Sequence, residues 1–453
     1  MKSRVLLAYP FFTKPARRNY APIGIPTLAA FLLRKHPEVA VQLLDYTVDK
    51  FTEDDWLRRL VKFEPEIIGI SAITLNYLGG VLMAKLAKER LPDSLVVMGG
   101  VHIVTTLEES LKHCDVAVQR EGEEVLCELV EEHELGTIKG ISWKHNGRVI
   151  HNDPHPFISD LDTIPFPAYE LFGDLSRYEE YPRWHIISSR GCPYACTFCT
   201  NPLMWARTLR ARSPQNIVDE IVHLKNDFGV KWVQFMDDTI NMPIGRALAI
   251  CDEIIKRGLN KELGFSGTLR LNRGFVSQEL FDKFAEAGFT HLGFGVESGS
   301  QKVLDLMRKK LTPVEVRNGV RMARKAGIKR LEGFCMVGNW GETIWDVMKT
   351  WWLTITTNME TGYSVCTPFP GTEFCNNVVA AGYLKGKPNW ETFNYTSVTT
   401  RTNTMNKPTI FTIYCISIIL QLSFAIFRGG RPWYTFTRIV WHAADVIRRA
   451  LKL

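Results

Sequence analysis

The sequence predicts an α/β protein: a Rossmann-like parallel-sheet domain, then a partial TIM-type barrel of six strands, then an α-helical tail. Two observations carry this. Short apolar runs rich in branched residues alternate with helical stretches over roughly the first 130 residues, and a second such series begins near residue 185. Strands that alternate with helices form a parallel sheet covered on both faces. The composition agrees: of 453 residues, 45% are hydrophobic and 23% charged, which excludes a disordered chain, a collagen-like repeat and a small disulfide scaffold.

In the first domain, residues 1–137, strands are expected at 5–9, 67–73, 95–99 and 116–118, and helices at 27–35, 53–63 and 78–90. Such a sheet binds ligands beyond the carboxyl ends of its strands. The loops there are 10–26, 74–80, 99–102 and 121–123. No G-x-G-x-x-G occurs in them, so a dinucleotide is not expected. Residues 138–184 are rich in Pro, His and Asp and read as a linker.

The barrel domain, residues 185–385, has strand signals at 185–189, 232–237, 265–272, 291–297, 330–337 and 363–367. Helices are expected at 214–228, 244–257, 278–287, 313–326 and 343–356, several ending on a glycine (Gly229, Gly258, Gly288, Gly327). Six strand–helix units make a barrel smaller than the usual eight. Three strands alternate apolar and polar. Phe265, Leu269 and Leu271 oppose Ser266, Thr268, Arg270 and Asn272; Leu292, Phe294 and Val296 oppose His291 and Glu297; Val233 and Phe235 oppose Gln234 and Asp238. The apolar faces meet the helices, so a polar lumen is expected, with Asp238, Arg270 and Glu297 inside. For Arg270, an ion pair with Glu297 or Glu332 stands beside direct ligand contact.

The segment Gly191-Cys192-Pro193-Tyr194-Ala195-Cys196-Thr197-Phe198-Cys199 has the spacing Cys-x3-Cys-x2-Cys. Three thiolates on one loop fall short of the four ligands a closed structural zinc site wants, and suit a 4Fe–4S cluster with one iron left open. A zinc site completed from a distance, or buried thiols, also fit the spacing.

These residues resemble the signature of the radical S-adenosylmethionine (SAM) enzymes, with Phe198 just before the third cysteine. Further segments resemble one branch in order: Phe235-Met236-Asp237-Asp238, Gly295-Val296-Glu297-Ser298-Gly299-Ser300, Gly338-Asn339-Trp340-Gly341-Glu342-Thr343 and Pro368-Phe369-Pro370-Gly371-Thr372. That branch has an N-terminal cobalamin-binding domain of flavodoxin-like fold. It includes the anaerobic magnesium-protoporphyrin monomethyl ester cyclase and hopanoid methylases. Pro22-Ile23-Gly24-Ile25-Pro26, Gly99-Gly100-Val101-His102 and Glu121-Gly122-Glu123-Glu124 resemble that domain.

The resemblance implies a 4Fe–4S cluster on Cys192, Cys196 and Cys199 that reductively cleaves SAM to a 5′-deoxyadenosyl radical. It puts Asp237 and Asp238 near the SAM amino group or ribose, and Glu297 and Ser298 near its carboxylate or ribose. Cobalamin is implied beside Thr74, Gly99, Gly100 and His102, where His102 either contacts it or caps a helix. The motif Asp-x-His-x-x-Gly, whose histidine ligates cobalt from below, is absent. Asn339 and Trp340 depart from the branch's Gly-x-Pro-Gly-Glu-Thr pattern, and Trp340 is expected to reshape the substrate side. The implied reaction modifies an unactivated carbon of a hydrophobic small-molecule or lipid substrate. Methyl transfer leads, with oxidative cyclisation or a non-catalytic electron-transfer module as alternatives. A one-electron donor such as flavodoxin or ferredoxin is implied as partner. Cys366 is either a hydrogen-atom donor or a small buried hydrophobe; the other cysteines read as packing.

No secretory signal is read at the N-terminus, so a cytoplasmic protein is expected. The net charge is +7, and residues 401–453 hold eight basic residues and one acidic. The body is therefore neutral, which argues against nucleic acid as a partner. Residues 410–427 are uncharged, at the lower limit of a bilayer span. The aromatic and basic stretch after them, with Trp433 and Trp441, reads as an interfacial segment. Peripheral membrane contact through the tail, residues 386–453, is the resulting expectation, with a helix packed on the barrel as its alternative.

Overall fold

Seven strands form the sheet of the first half of the chain: β1 (Arg4–Tyr9), β2 (Ala40–Asp45), β3 (Ile67–Ser71), β4 (Leu95–Gly99), β5 (Val116–Val118), β6 (Ile141–His145) and β7 (Arg148–His151). Their order is β2-β1-β3-β4-β5-β6-β7. The first five run parallel, and β6 and β7 are antiparallel additions. The computed structural model describes residues 1–13 and 20–427. It divides into two compact units: residues 1–193 with 200–233, and residues 194–199 with 234 onward.

Val5, Leu6, Leu7 and Ala8 of β1, Ile67, Ile68 and Ile70 of β3, and Val96 and Met98 of β4 are all buried. Parallel strands covered by helices on both faces need such continuous apolar runs, which is why these strands stand out in the sequence. The strand order reverses between β1 and β3, the crevice where sheets of this kind take ligands. The helix Glu53–Phe63 has the bounds its apolar period predicts, because the Thr52 hydroxyl accepts from the Asp55 amide and three acidic residues occupy its first turn.

Several elements of this unit differ from expectation, among them the helix Glu123–Val130, which follows a segment expected only as a loop. The edge strand β2 was not expected: only Leu43, Leu44 and Asp45 are buried, so it lacks a full apolar run. The segment expected to be linker opens with the hairpin β6–β7. Asn146 (φ 50°) and Gly147 (φ 76°) form its two-residue turn, both left-handed, as a type I′ turn requires. The Asn-Gly pair was the sequence signal, masked by the polar composition around it.

The second sheet contains β8 (Arg183–Ile186), β9 (Trp232–Phe235), β10 (Gly264–Leu269), β11 (Phe289–Glu297), β12 (Arg330–Val337) and β13 (Glu360–Val365), in the order β13-β12-β11-β10-β9-β8. Each strand therefore lies beside the next in sequence, and β10 to β13 pair in parallel. This is the winding of a partial barrel. Phe265, Leu269, Leu292, Phe294 and Val296 are fully buried, on the side of the helices Ile244–Lys256, Gln278–Glu286 and Pro313–Lys325. Gly229, Gly258, Gly288 and Gly327 follow their helices with φ between 65° and 90°.

The helix Lys407–Phe427 packs on β12, β13 and the helix Ile344–Thr357. Trp351 donates its indole N–H to the Ser417 hydroxyl at 2.9 Å. Among the described residues, no helix is long and apolar enough to cross a membrane. The aromatic and basic segment with Trp433 and Trp441 lies outside the described residues.

Candidate cofactor-binding site

In the first unit, the loop after β3 begins a short turn at Thr74, and the loop after β4 is Gly99-Gly100. Gly100 has φ 99°, and a Cβ there would stand 2.5 Å from the Ala72 carbonyl oxygen and 2.9 Å from its nitrogen. Only glycine lets this loop close on the end of β3. His102 is 1% exposed. Its Nδ1 lies 3.1 Å from the Thr74 hydroxyl, and its ring packs 4.1 Å from that of Tyr77. Burial pushes its pKa down to about 3, so it is neutral at physiological pH. Its side chain braces the loop from within.

The helix that starts at Val101 packs on the helix Asn201–Trp205, which follows the cysteine segment. A second tie comes from the loop after β5. Arg190, two residues before Cys192, donates to Glu121 and Glu123, both at 2.6 Å. Arg210 donates to the other Glu121 oxygen at 3.0 Å. All four side chains are largely buried. Glu121 and Glu123 were expected in a ligand-end loop that resembles the cobalamin-binding domain, not as an ion pair. The two arginines were not singled out, because no local pattern marks a pairing across 67 residues.

In the second unit, Thr197 donates its N–H to the Met307 carbonyl at 3.0 Å and accepts from the Phe374 N–H at 2.9 Å. Phe198 packs against Val303, Met307 and Met336 on one side and Cys366, Phe374 and Val378 on the other. The stretch between the second and third cysteines is therefore pinned by backbone and side chain. Cys192 and Cys196 are buried and Cys199 is half-buried, and all ten cysteines are thiols. Among the described residues, no three Cys, His, Asp or Glu side chains are grouped to hold a single metal ion. A cluster has no such need, since each thiolate binds its own iron.

Arg270 is buried beside this loop. Its Nη1 lies 3.9 Å from the Cys196 sulfur, and its guanidinium stacks 3.6 Å from the Tyr194 ring centroid. Nε donates to Asn272 Oδ1 at 3.0 Å, and Nη2 to the Lys309 carbonyl. It pairs with neither expected carboxylate. Glu332 is taken by His291 at 3.2 Å, and Glu297 by Lys309 at 2.7 Å. Lys309 is thus the cation the sequence reading missed. Its amine crosses over Gly295, where a Cβ would come within 2.8 Å of Nζ. This close approach explains the glycine two residues before Glu297. Glu297 itself has φ 64°, at an irregularity in the β11–β12 register. Such a backbone is strained for a non-glycine residue and aims the carboxylate out of the regular pleat.

Asp237 is buried and Asp238 exposed. The expected inward Asp238 is corrected: β9 ends at Phe235, so the two-residue period does not extend to it. Ser298 is fully buried; its hydroxyl lies 3.3 Å from that of Thr350 and accepts from the Ser300 amide. Trp340 packs with Cys366 and Phe374 and meets the Tyr383 ring at 6.2 Å. Burial pushes the Cys366 thiol well up, consistent with a packed, protonated side chain. Burial also pushes the Glu342 carboxyl up to about 7. It accepts from the Gly338 and Asn339 amides and so closes the loop.

Comparison with known proteins fits this layout. Residues 14–130 match the B12 binding domain and residues 186–350 the Radical SAM superfamily. The chain is 30% identical to the uncharacterized methyltransferase PH0819 of Pyrococcus horikoshii, over 95% of this chain and 92% of that one. It belongs to the radical SAM superfamily. It is also 28% identical to the anaerobic magnesium-protoporphyrin IX monomethyl ester cyclase of Cereibacter sphaeroides, over 67% of this chain and 52% of that protein. The solved structure of the cobalamin-dependent SAM radical enzyme OxsB, with aqua-cobalamin and SAM bound, shares the fold. Its TM-score is 0.77 at 18% identity, covering 98% of this chain and 72% of that one.

This radical SAM protein is an enzyme whose cofactors are a 4Fe–4S cluster, SAM and cobalamin. The alternative of a bare electron-transfer module is set aside by this family membership. The residues fit these groups. Three thiols lie on one braced loop, with a guanidinium beside one sulfur. The side-chain-free loop Gly99-Gly100, packed on Ala72, stands at the carboxyl end of the first sheet.

Proposed function

We propose that this enzyme transfers a methyl group to an unactivated carbon of a hydrophobic substrate. The observation that carries the reading is the near full-length likeness to a methyltransferase, across both the B12 binding and radical SAM segments. In this reading Cys192, Cys196 and Cys199 hold the cluster, and Arg270 supplies positive charge beside Cys196. Glu297, oriented by Lys309, and Asp237 face SAM; the exposed Asp238 and the inward Ser298 are weaker contacts. Gly99 and Gly100 offer the backbone edge for the corrin, and Thr74 and His102 hold that edge in place. When bound, the cluster supplies the electron that cleaves SAM. The protein's part is to position SAM and exclude water around a charged, buried pair. A flavodoxin or ferredoxin is the donor, and the tail makes peripheral membrane contact.

Cyclisation is the second reading, favoured by the likeness to the cyclase. Anaerobic incubation of the reconstituted enzyme with SAM, reductant and hydroxocobalamin separates the two. S-adenosylhomocysteine together with 5′-deoxyadenosine is the expected outcome. 5′-Deoxyadenosine alone would overturn methyl transfer and leave cyclisation.

A further expected result concerns the cobalt. His102 is buried and held by Thr74 and Tyr77, so it is not a ligand from below. The cobalt(II) paramagnetic resonance spectrum should show no protein nitrogen, and His102→Gln should leave it unchanged. A nitrogen splitting that vanishes in the variant contradicts this.

A further inference from the structure

We propose that the outward faces of two abutting helices, Ile344–Thr357 and Lys407–Phe427, form a docking surface for an anionic phospholipid membrane. On the first, Trp345 is 72% exposed and Trp352 64%, and Ile344, Met348 and Ile355 are exposed with them. Positions 345, 348, 352 and 355 follow helical spacing along one side. On the second, Ile416 and Ile419 are exposed. The two helices are joined by the Trp351–Ser417 hydrogen bond. Their other sides already fill the core: Val347 and Leu353 are buried on the first, and Ile410, Ile413, Tyr414 and Ile418 on the second. The exposed stripes are therefore surplus to folding, and apolar surface of this extent marks an interaction site.

Charge selects the occupant. The helix Ile344–Thr357 has two charged residues, Asp346 and Lys349. Asp346 is buried, bonded to Ser300 and Thr343, and shared as counter-charge by Lys349 at 3.5 Å and Lys302 at 3.2 Å, so two lysines balance one buried carboxylate and the outward face stays cationic. The second helix has Lys407 and no acidic residue. The sequence continues into Arg428, Arg431 and Arg438. Tryptophan with a basic border is the chemistry of an anionic bilayer interface. A second copy of the chain would instead set these like charges against each other. The proposal is independent of the reaction assigned above, and it adds a face on the barrel to the contact proposed for the tail.

The test uses the full chain and vesicles of phosphatidylcholine with or without phosphatidylglycerol. Binding to the anionic vesicles with a blue shift of tryptophan fluorescence is expected. Trp345→Ser with Trp352→Ser should weaken partitioning by roughly tenfold or more, with an unchanged melting curve because both side chains are exposed. A chain ending at Phe427 should lose the salt-sensitive part of binding and keep the blue shift. The proposal is overturned if the double variant binds as tightly as the parent, which leaves the tail alone responsible. It is equally overturned if the protein ignores anionic vesicles and forms a dimer that the double variant splits.

Discussion

Alanine at Cys192, Cys196 and Cys199 should take the chain from about four bound irons to none and stop SAM cleavage altogether. In the proposed reading the three thiols are the complete protein donor set, and their loop is held by groups that do not depend on metal. The Thr197 backbone is bonded on both sides, and Phe198 fills a pocket between two apolar clusters. Loss of the thiols should therefore leave the fold intact, with a circular dichroism spectrum and melting curve close to those of the parent apoprotein. The reconstituted variant should lack the broad absorption near 400 nm typical of such clusters and form no 5′-deoxyadenosine. A triple variant that still cleaves SAM would remove the radical mechanism. The single variant Cys196→Ala should also lower iron content, since it takes away a sulfur 3.9 Å from Arg270 Nη1.

How much of this was legible in the sequence follows from what each residue does. The central strands could be read because burial on both faces demands uninterrupted apolar runs, as in Val5 to Ala8. The edge strand β2 could not, because half of it faces outward. The cysteine spacing was visible because it is local to one stretch of chain. Lys309 was not: it sits in the turn after the helix Gln301–Leu306, and the fold brings it to Glu297 over Gly295. The glycine at 295 was the available sign that something must pass there. Asp238 was misplaced for a related reason, since side-chain alternation holds only while the strand lasts, and β9 stops at Phe235.

Arg190→Met should cost about 3–5 kcal/mol of stability, because it leaves buried carboxylates without their partner. Glu121 and Glu123 both accept from Arg190 at 2.6 Å, and only Glu121 has a second arginine, Arg210. Burial alone would raise the Glu123 carboxyl, but the Arg190 charge and hydrogen bond outweigh it and hold its pKa below the ordinary value. A depressed folded-state pKa stabilises the protein above the unfolded value, about 4.3, and this contribution is lost as pH falls through the folded value. Without Arg190 the sign reverses. Burial then raises the Glu123 pKa, so the variant is most stable where the group is protonated and weakens as pH rises. The stability gap between parent and variant should accordingly be small near pH 4 and widen toward pH 7, read from urea unfolding at each pH. A gap that does not change with pH would mean that lost packing, not lost charge, explains the variant. Adding Glu123→Gln to Arg190→Met should recover much of the loss, since Glu121 keeps Arg210 and no buried carboxylate then lacks a partner. Because Arg190 lies two residues before Cys192, the same series reports on the loop. Iron content after reconstitution should fall in Arg190→Met and stay low when Glu123→Gln is added if this ion pair sets where the first cysteine stands; a return of iron would trace the loss to unpaired buried charge instead.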